Sequence, residues 1–294
     1  MNVQDDVPNN VVSSDFFETT IENESMDAPI NFSCIENAID LDSLHEGLIN
    51  EEFFLEYLPI ISLTDGRCTG AEALIRWRRP SGIVQPDNFI PIAENTPISG
   101  LMTYWLIETL AIEMRDWLLA NPDADISINI PPEILGRGGL EYAARKAGIF
   151  DLVSQITLEI TERGVPDLMG VNSINNMASL GVRLALDDVT LTSGANMAVL
   201  ARCHFDVIKL DKSLVAQISS ECPSPEWLEG ITALLQSSRL VVVAEGIETE
   251  QQFMTIRTAN IQLAQGFYFS KPITAVEFID YHRENNAKIK PAAQ

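Results

Sequence analysis

Short apolar runs recur along this chain, and nearly every one closes on a carboxylate, an amide or a lysine. Glu72 stands in Gly70-Ala71-Glu72-Ala73-Leu74-Ile75-Arg76, and Ile126-Ser127-Ile128 ends in Asn129. Ile156-Thr157-Leu158-Glu159-Ile160-Thr161-Glu162 carries two glutamates, and Leu184-Ala185-Leu186 runs into Asp187-Asp188. Val207-Ile208-Lys209-Leu210-Asp211 supplies a lysine and an acid. Val241-Val242-Val243-Ala244 leads to Glu245 and Glu248, and Leu263-Ala264 leads to Gln265. Strands that end on polar groups and alternate with helices predict an α/β chain, a modified (β/α)8 TIM-like barrel with its site at the C-terminal ends of the strands. Carboxylates crowded there raise one another's pKa. The simplest neutraliser is a divalent metal.

The spacing sets the expected layout. A helix over Ile39–Leu48 precedes a first strand, Phe53 to Ile61. Asp65-Gly66 reads as a hairpin turn into the strand that carries Glu72, so the first strand is expected to be antiparallel. An amphipathic helix is expected over Leu101–Leu119, with Pro122 past its end. Further helices are expected over Pro132–Gly148 (broken at Gly138-Gly139), Gly170–Leu180, Gly194–Arg202, Ser224–Gln236, Thr249–Ala259 and Ala275–Glu284. Thr249 before Glu250, and Thr274 three residues before Glu277, mark helix starts. The 294 residues suit one barrel of about 250 residues plus an extension. The expected division is an acidic extension over residues 1–31, a barrel over 32–284 and a short polar tail over 285–294.

Charge is uneven. Of the 42 acids, fifteen precede Arg67, the first lysine or arginine. The rest of the chain then holds 42 − 15 = 27 acids against 19 bases, a net of −8 out of −23. The opening stretch is aperiodic and acidic, which reads as a disordered or docking segment. Double-stranded nucleic acid is excluded as a partner, since it requires clustered bases. Cys34, Cys68, Cys203 and Cys222 show no metal or framework spacing and read as free thiols in a reducing compartment. No apolar run approaches the ~20 residues of a membrane span, and no signal peptide is evident. A cytoplasmic protein that does not bind membrane is expected.

Each polar residue has an ordinary explanation when taken alone. Asp187-Asp188 can cap a helix, Lys209 can be a surface charge and Gln265-Gly266 can be a turn. Together they point to one shared site, because several strands deliver such groups to one end of one barrel. Hard oxygen ligands suit Mg²⁺ or Mn²⁺. His45, His204 and His282 lie elsewhere, which disfavours zinc. Two metals sharing an aspartate activate a water and stabilise the leaving oxygen of a phosphodiester. A lysine beside them positions or deprotonates that water.

At these residues the chain resembles the EAL-domain cyclic di-GMP phosphodiesterases. The naming motif stands as Glu72-Ala73-Leu74, followed by Arg76-Trp77. Pro86-Asp87-Asn88-Phe89-Ile90-Pro91, Glu159-Ile160-Thr161-Glu162, Asp187-Asp188, Lys209-Leu210-Asp211, Glu245-Gly246-Ile247-Glu248 and the run Gln265 to Pro272 follow in the family's order. The resemblance implies hydrolysis of cyclic di-GMP to linear pGpG with a two-metal Mg²⁺ or Mn²⁺ centre. Glu72, Asn129, Glu159 and Asp187 would hold the first metal. Asp187 would bridge to a second, held also by Asp188 and Glu245. Lys209 would serve the attacking water as a catalytic group, and Glu248 and Gln265, also catalytic, would line the metal-water site. Leu58, Arg76, Asp211 and Pro272 would face substrate, and Glu162 would anchor the loop after the aspartates.

The chain also departs from the family pattern. The loop Val189-Thr190-Leu191-Thr192-Ser193-Gly194 replaces Phe-Gly-Thr-Gly, Leu58 replaces a glutamine, and Pro131 replaces a small hydroxyl residue. These departures keep a second reading open, a cyclic di-GMP receptor or protein-interaction module with weak or no catalysis. Homodimerisation and a regulatory partner at the N-terminal extension are further expectations. A sugar-processing barrel with paired carboxyls fits Asn129 and Lys209 poorly.

Overall fold

The computed structural model describes residues 39–135, 138–161, 168–190 and 203–288. The expected extension over residues 1–31, the expected helix over residues 194–202, Cys34, Glu162 and the loop beyond Thr190 lie outside them. The strands are β1 (Phe53–Ser62), β2 (Cys68–Arg79), β3 (Gly82–Val84), β4 (Asp125–Asn129), β5 (Ile156–Thr161), β6 (Arg183–Val189), β7 (Val207–Leu210), β8 (Val241–Ala244) and β9 (Leu263–Ala264). Their order is β1-β9-β8-β7-β6-β5-β4-β2-β3, and β1 also pairs with β2. Eight strands therefore close a ring. The short β3, which the sequence reading missed, hangs from β2 outside it.

β1 is antiparallel to both its neighbours, while pairing from β2 through β4 to β9 is parallel. Asp65-Gly66 makes the expected turn, and Gly66 takes a φ of +78° that glycine adopts without steric cost. The hairpin register slips between Ile60 and Ile61, so one extra residue sits on β2 next to the turn.

The main helices in order are α1 (Leu41–Ile49), α2 (Ile90–Ala93), α3 (Pro97–Ala120), α4 (Gly139–Lys146), α5 (Leu168–Ser179), α6 (Lys212–Val215), α7 (Glu226–Ser237), α8 (Glu250–Thr258) and α9 (Ala275–Ala287). Local chemistry fixes their ends. Asp40 and Ser43 form a reciprocal cap at α1, as do Thr249 with Gln252 at α8 and Thr274 with Glu277 at α9. Thr96 caps α3, Pro97 occupies its first turn, and Pro122 follows its end. The expected break at Gly138-Gly139 is present: a short 3₁₀ turn at Pro132–Ile134 precedes α4. α9 runs past the expected end at Glu284. Asn285 and Asn286 both accept from the Cys68 amide, at 2.8 and 3.0 Å, so these two residues belong to the barrel and not to a tail.

Among the described residues, apolar burial falls into two compartments. The larger lies between the ring and its helices, where α3 buries Met102, Leu106, Leu110, Met114 and Leu118. Phe53 and Trp77 stack across the hairpin at 5.2 Å beneath Phe89. The smaller lies inside the ring and consists of Ala185, Val207 and Val243, with Val241 and Leu263 against them. No helix among the described residues is long and apolar enough to cross a membrane. Cys68 and Cys222 are free thiols.

Candidate active site

Alternation along a strand sends every second side chain into the ring. Two residues beyond Ala185, Val207, Val243 and Leu263, towards the C-terminal ends, stand Asp187, Lys209, Glu245 and Gln265. Parallel pairing brings the others level: Glu72 is opposite Ser127, and Asn129 is opposite Glu159. The apolar layer is thus the floor of a polar cage.

Lys209 is the hub. Its side chain is 2% exposed, and Nζ lies 2.7 Å from Glu159 Oε2, 2.7 Å from Glu245 Oε1, 3.1 Å from Glu72 Oε2 and 3.3 Å from Asp187 Oδ1. Glu72 accepts at both oxygens, from Asn129 Nδ2 at 2.9 Å and from Gln265 Nε2 at 2.7 Å as well as from Lys209. Gln265 Nε2 also donates to Glu245 Oε1 at 3.2 Å, tying β9 to β8.

The protonation pattern follows from burial and from these neighbours. Burial opposes the Lys209 charge, but Asp187, Glu159, Glu245 and Glu72 outweigh it and hold the pKa well above that of free lysine. In this arrangement Lys209 is the counter-charge of the cage. Burial raises Glu72, yet Lys209 and the donated hydrogen bonds hold its pKa below the usual range. Burial and the Glu72 charge push Glu159 well up. Burial, aided by Asp187 and Glu72 and opposed by Lys209, pushes Glu245 up to about 8. One ammonium cannot neutralise four carboxylates, so two of them retain protons readily.

The aspartate pair depends on a backbone irregularity. Leu186 pairs with Ile208 but Val189 pairs with Leu210, so β6 carries one extra residue against β7. Asp188 takes a φ of +54° at that point. On a regular strand Asp187 and Asp188 would face opposite sides. The bulge turns both inward, and a ligand oxygen from each lies within 4.8 Å of the others and of one from Glu245.

These residues fit hard divalent cations. Glu159 Oε1, Asp187 Oδ1 and Gln265 Oε1 are buried and accept no hydrogen bond among the described residues. Asp187 Oδ1 is near Nζ but off its bonding direction. Buried acceptors without donors are rare, and three in one cage of carboxylates and amides form the donor set that Mg²⁺ or Mn²⁺ takes.

The remaining expected residues fall around this cage. Leu58 is half-buried and directly opposite Glu72 on β1, hence on the same face. Arg76 is buried further along that face, bonded to Glu56 at 2.8 Å. Pro272 precedes Ile273, which exchanges backbone hydrogen bonds with Tyr57, so it lies beside β1. Asp211 accepts from the Ser213 amide at 2.9 Å and caps α6. Glu248 is exposed and is not drawn into the cage. Gly246 turns the chain at φ +68°, and the Glu248 amide donates to Gln252 Oε1 at the start of α8. Glu56 was missed by the sequence reading, because the register slip at Ile60 that sets it opposite Leu74 leaves no mark in the sequence.

An EAL domain family model matches residues 41–272. The cyclic di-GMP phosphodiesterase NbdA of Pseudomonas aeruginosa is 30% identical over 250 residues, which cover 82% of this chain and 32% of NbdA. An EAL enzyme solved with cAMP and cyclic-di-GMP bound aligns with a TM-score of 0.75 at 29% identity, over 85% of this chain and 68% of that one. The PaMucR phosphodiesterase in its c-di-GMP complex aligns at 0.73 and 27% identity, over 81% and 98%. The chain spans less than half the length of the curated relatives it matches.

Proposed function

The chain belongs to the EAL-domain family, and from that membership we propose that it hydrolyses one phosphodiester bond of cyclic di-GMP to give linear pGpG. The observation that carries the proposal is the cage: four carboxylates around Lys209, with orphaned oxygens, above an apolar floor. Asp187, Asp188 and Glu245 would hold one cation, and Glu72, Asn129 and Glu159 with Asp187 another. Bound there, Mg²⁺ or Mn²⁺ would activate water and stabilise charge on the phosphoryl oxygens and the leaving group.

The chain's own residues do the rest. Lys209 holds the carboxylates together. Gln265 locks Glu72 and Glu245 in place. Ala185, Val207 and Val243 give the cage an apolar floor, and electrostatic interactions are stronger beside such a surface than in water. Arg76 would meet a substrate phosphate nearer the rim. A cytoplasmic setting accords with the free thiols. Dimerisation and a regulatory partner at the acidic extension are parts of the same proposal.

The test is incubation with cyclic di-GMP and Mg²⁺ or Mn²⁺, followed by product analysis. We expect pGpG, abolished by chelation and poorly supported by Ca²⁺, whose looser geometry suits such a centre badly. The second reading, a receptor, draws on Leu58, whose apolar side chain faces the cage mouth where it donates no hydrogen bond to a ligand. Binding without turnover in either metal would decide for it.

A further inference from the structure

We infer that Glu56, on β1, is the positioning residue for Arg76, holding its guanidinium so that one edge stays open to the barrel mouth. The inference rests on the reading of Arg76 as a phosphate contact. Glu56 pairs with Leu74, so Glu56, Leu74 and Arg76 share one face of the hairpin. Arg76 Nε donates to Glu56 Oε2 at 2.8 Å, and Nη1 donates to the Ile75 carbonyl at 3.1 Å. Two bonds on two different nitrogens fix the plane of the fork. Among the described residues Nη2 donates to no protein group, and it is not one of the buried unpaired atoms. It is the edge left to meet a ligand at the mouth.

The pair's placement supports the assignment. Arg76 stands four residues beyond Glu72 on the same face of β2, about 13 Å nearer the rim at strand rise. The Arg76 side chain is 7% exposed and that of Glu56 22%, so the pair is only partly screened by solvent. A free arginine has many rotamers, and fixing them on binding weakens affinity. Glu56 fixes them beforehand. Because its carboxylate also neutralises Arg76, recognition at this point relies on a directed hydrogen bond and less on net charge.

The test is equilibrium binding of cyclic di-GMP in Ca²⁺, which holds turnover down, for the unaltered protein and for Glu56→Gln, Glu56→Asp and Arg76→Ala. Thermal midpoints verify that each variant is folded. Gln keeps an oxygen within reach of Nε, so Glu56→Gln should bind within about twofold of the unaltered protein. Asp keeps the charge but is one methylene short, so Glu56→Asp should bind roughly tenfold more weakly, about 1.4 kcal/mol. Full affinity in both variants overturns the inference. So does the reverse pattern, which would make Glu56 a matter of charge. No binding by the unaltered protein, or undiminished binding by Arg76→Ala, places the failure in the substrate reading, and the inference falls with it.

Discussion

Lys209 sets the character of the site at the scale of single residues. It answers four carboxylates with one charge, and removing one partner of a buried ion pair typically costs about 3–5 kcal/mol. Lys209→Ala should therefore lower the thermal midpoint in chelator and recover part of the loss in Mg²⁺, which takes over the counter-charge. Turnover should drop by at least ~100-fold while cyclic di-GMP binding persists, the scale of a positioned acid–base group. Near-normal turnover would remove Lys209 from the reaction. The cage itself was legible in the sequence, because strand-end polar residues on a barrel have only one place to converge. Glu56 was not. Counting back from the turn with the Ile61–Cys68 pairing puts Glu56 opposite Ala73 and on the outer face. The one-residue slip at Ile60 moves it opposite Leu74 and inside.

At the scale of elements, the bulge in β6 brings the second aspartate inward. Alternation alone assigns Asp188 to the helix side, so its place beside Asp187 and Glu245 followed from the family motif and not from periodicity. Asp188→Gly separates backbone from ligand, since glycine accepts the positive φ. The variant should fold normally yet need more metal for half-maximal activity. An unchanged metal requirement would exclude Asp188 as a ligand. α9 carries a different linkage. His282 sits edge-on to Trp117 at 5.0 Å, beside Phe278 and 3.0 Å from Asn286 Nδ2, and burial lowers its pKa. The unfolded chain, titrating near about 6.5, binds the proton more readily, so stability contributed here is present above that pH and lost as pH falls below it. His282→Gln should flatten the fall of the thermal midpoint between about pH 7.5 and 5. An unaltered slope would assign the pH dependence elsewhere.

For the whole molecule, the sequence indicated a ring of alternating strands and helices, its antiparallel start and most helix ends, since hairpin turns and capping residues are local. It did not indicate β3, three residues long and tied only to β2, or the turn of α6, too short to show a period. The reversed first strand bears on how the ring is made as the chain leaves the ribosome. β1 and β2 are neighbours in sequence and can zip together as soon as both emerge, without waiting for any crossover helix. The other edge of β1 waits for β9: Ile61 meets Ala264 and Ser62 meets Leu263. Until then the growing sheet has two open edges, the state in which nascent β structure is most prone to mispairing. Gln265, the residue that ties Glu72 to Glu245, arrives one position after that last strand. The final stitch of the barrel and the final piece of its chemistry are thus the same short stretch of translation, and a chain released before it carries every acid of the cage but no closed ring to hold them.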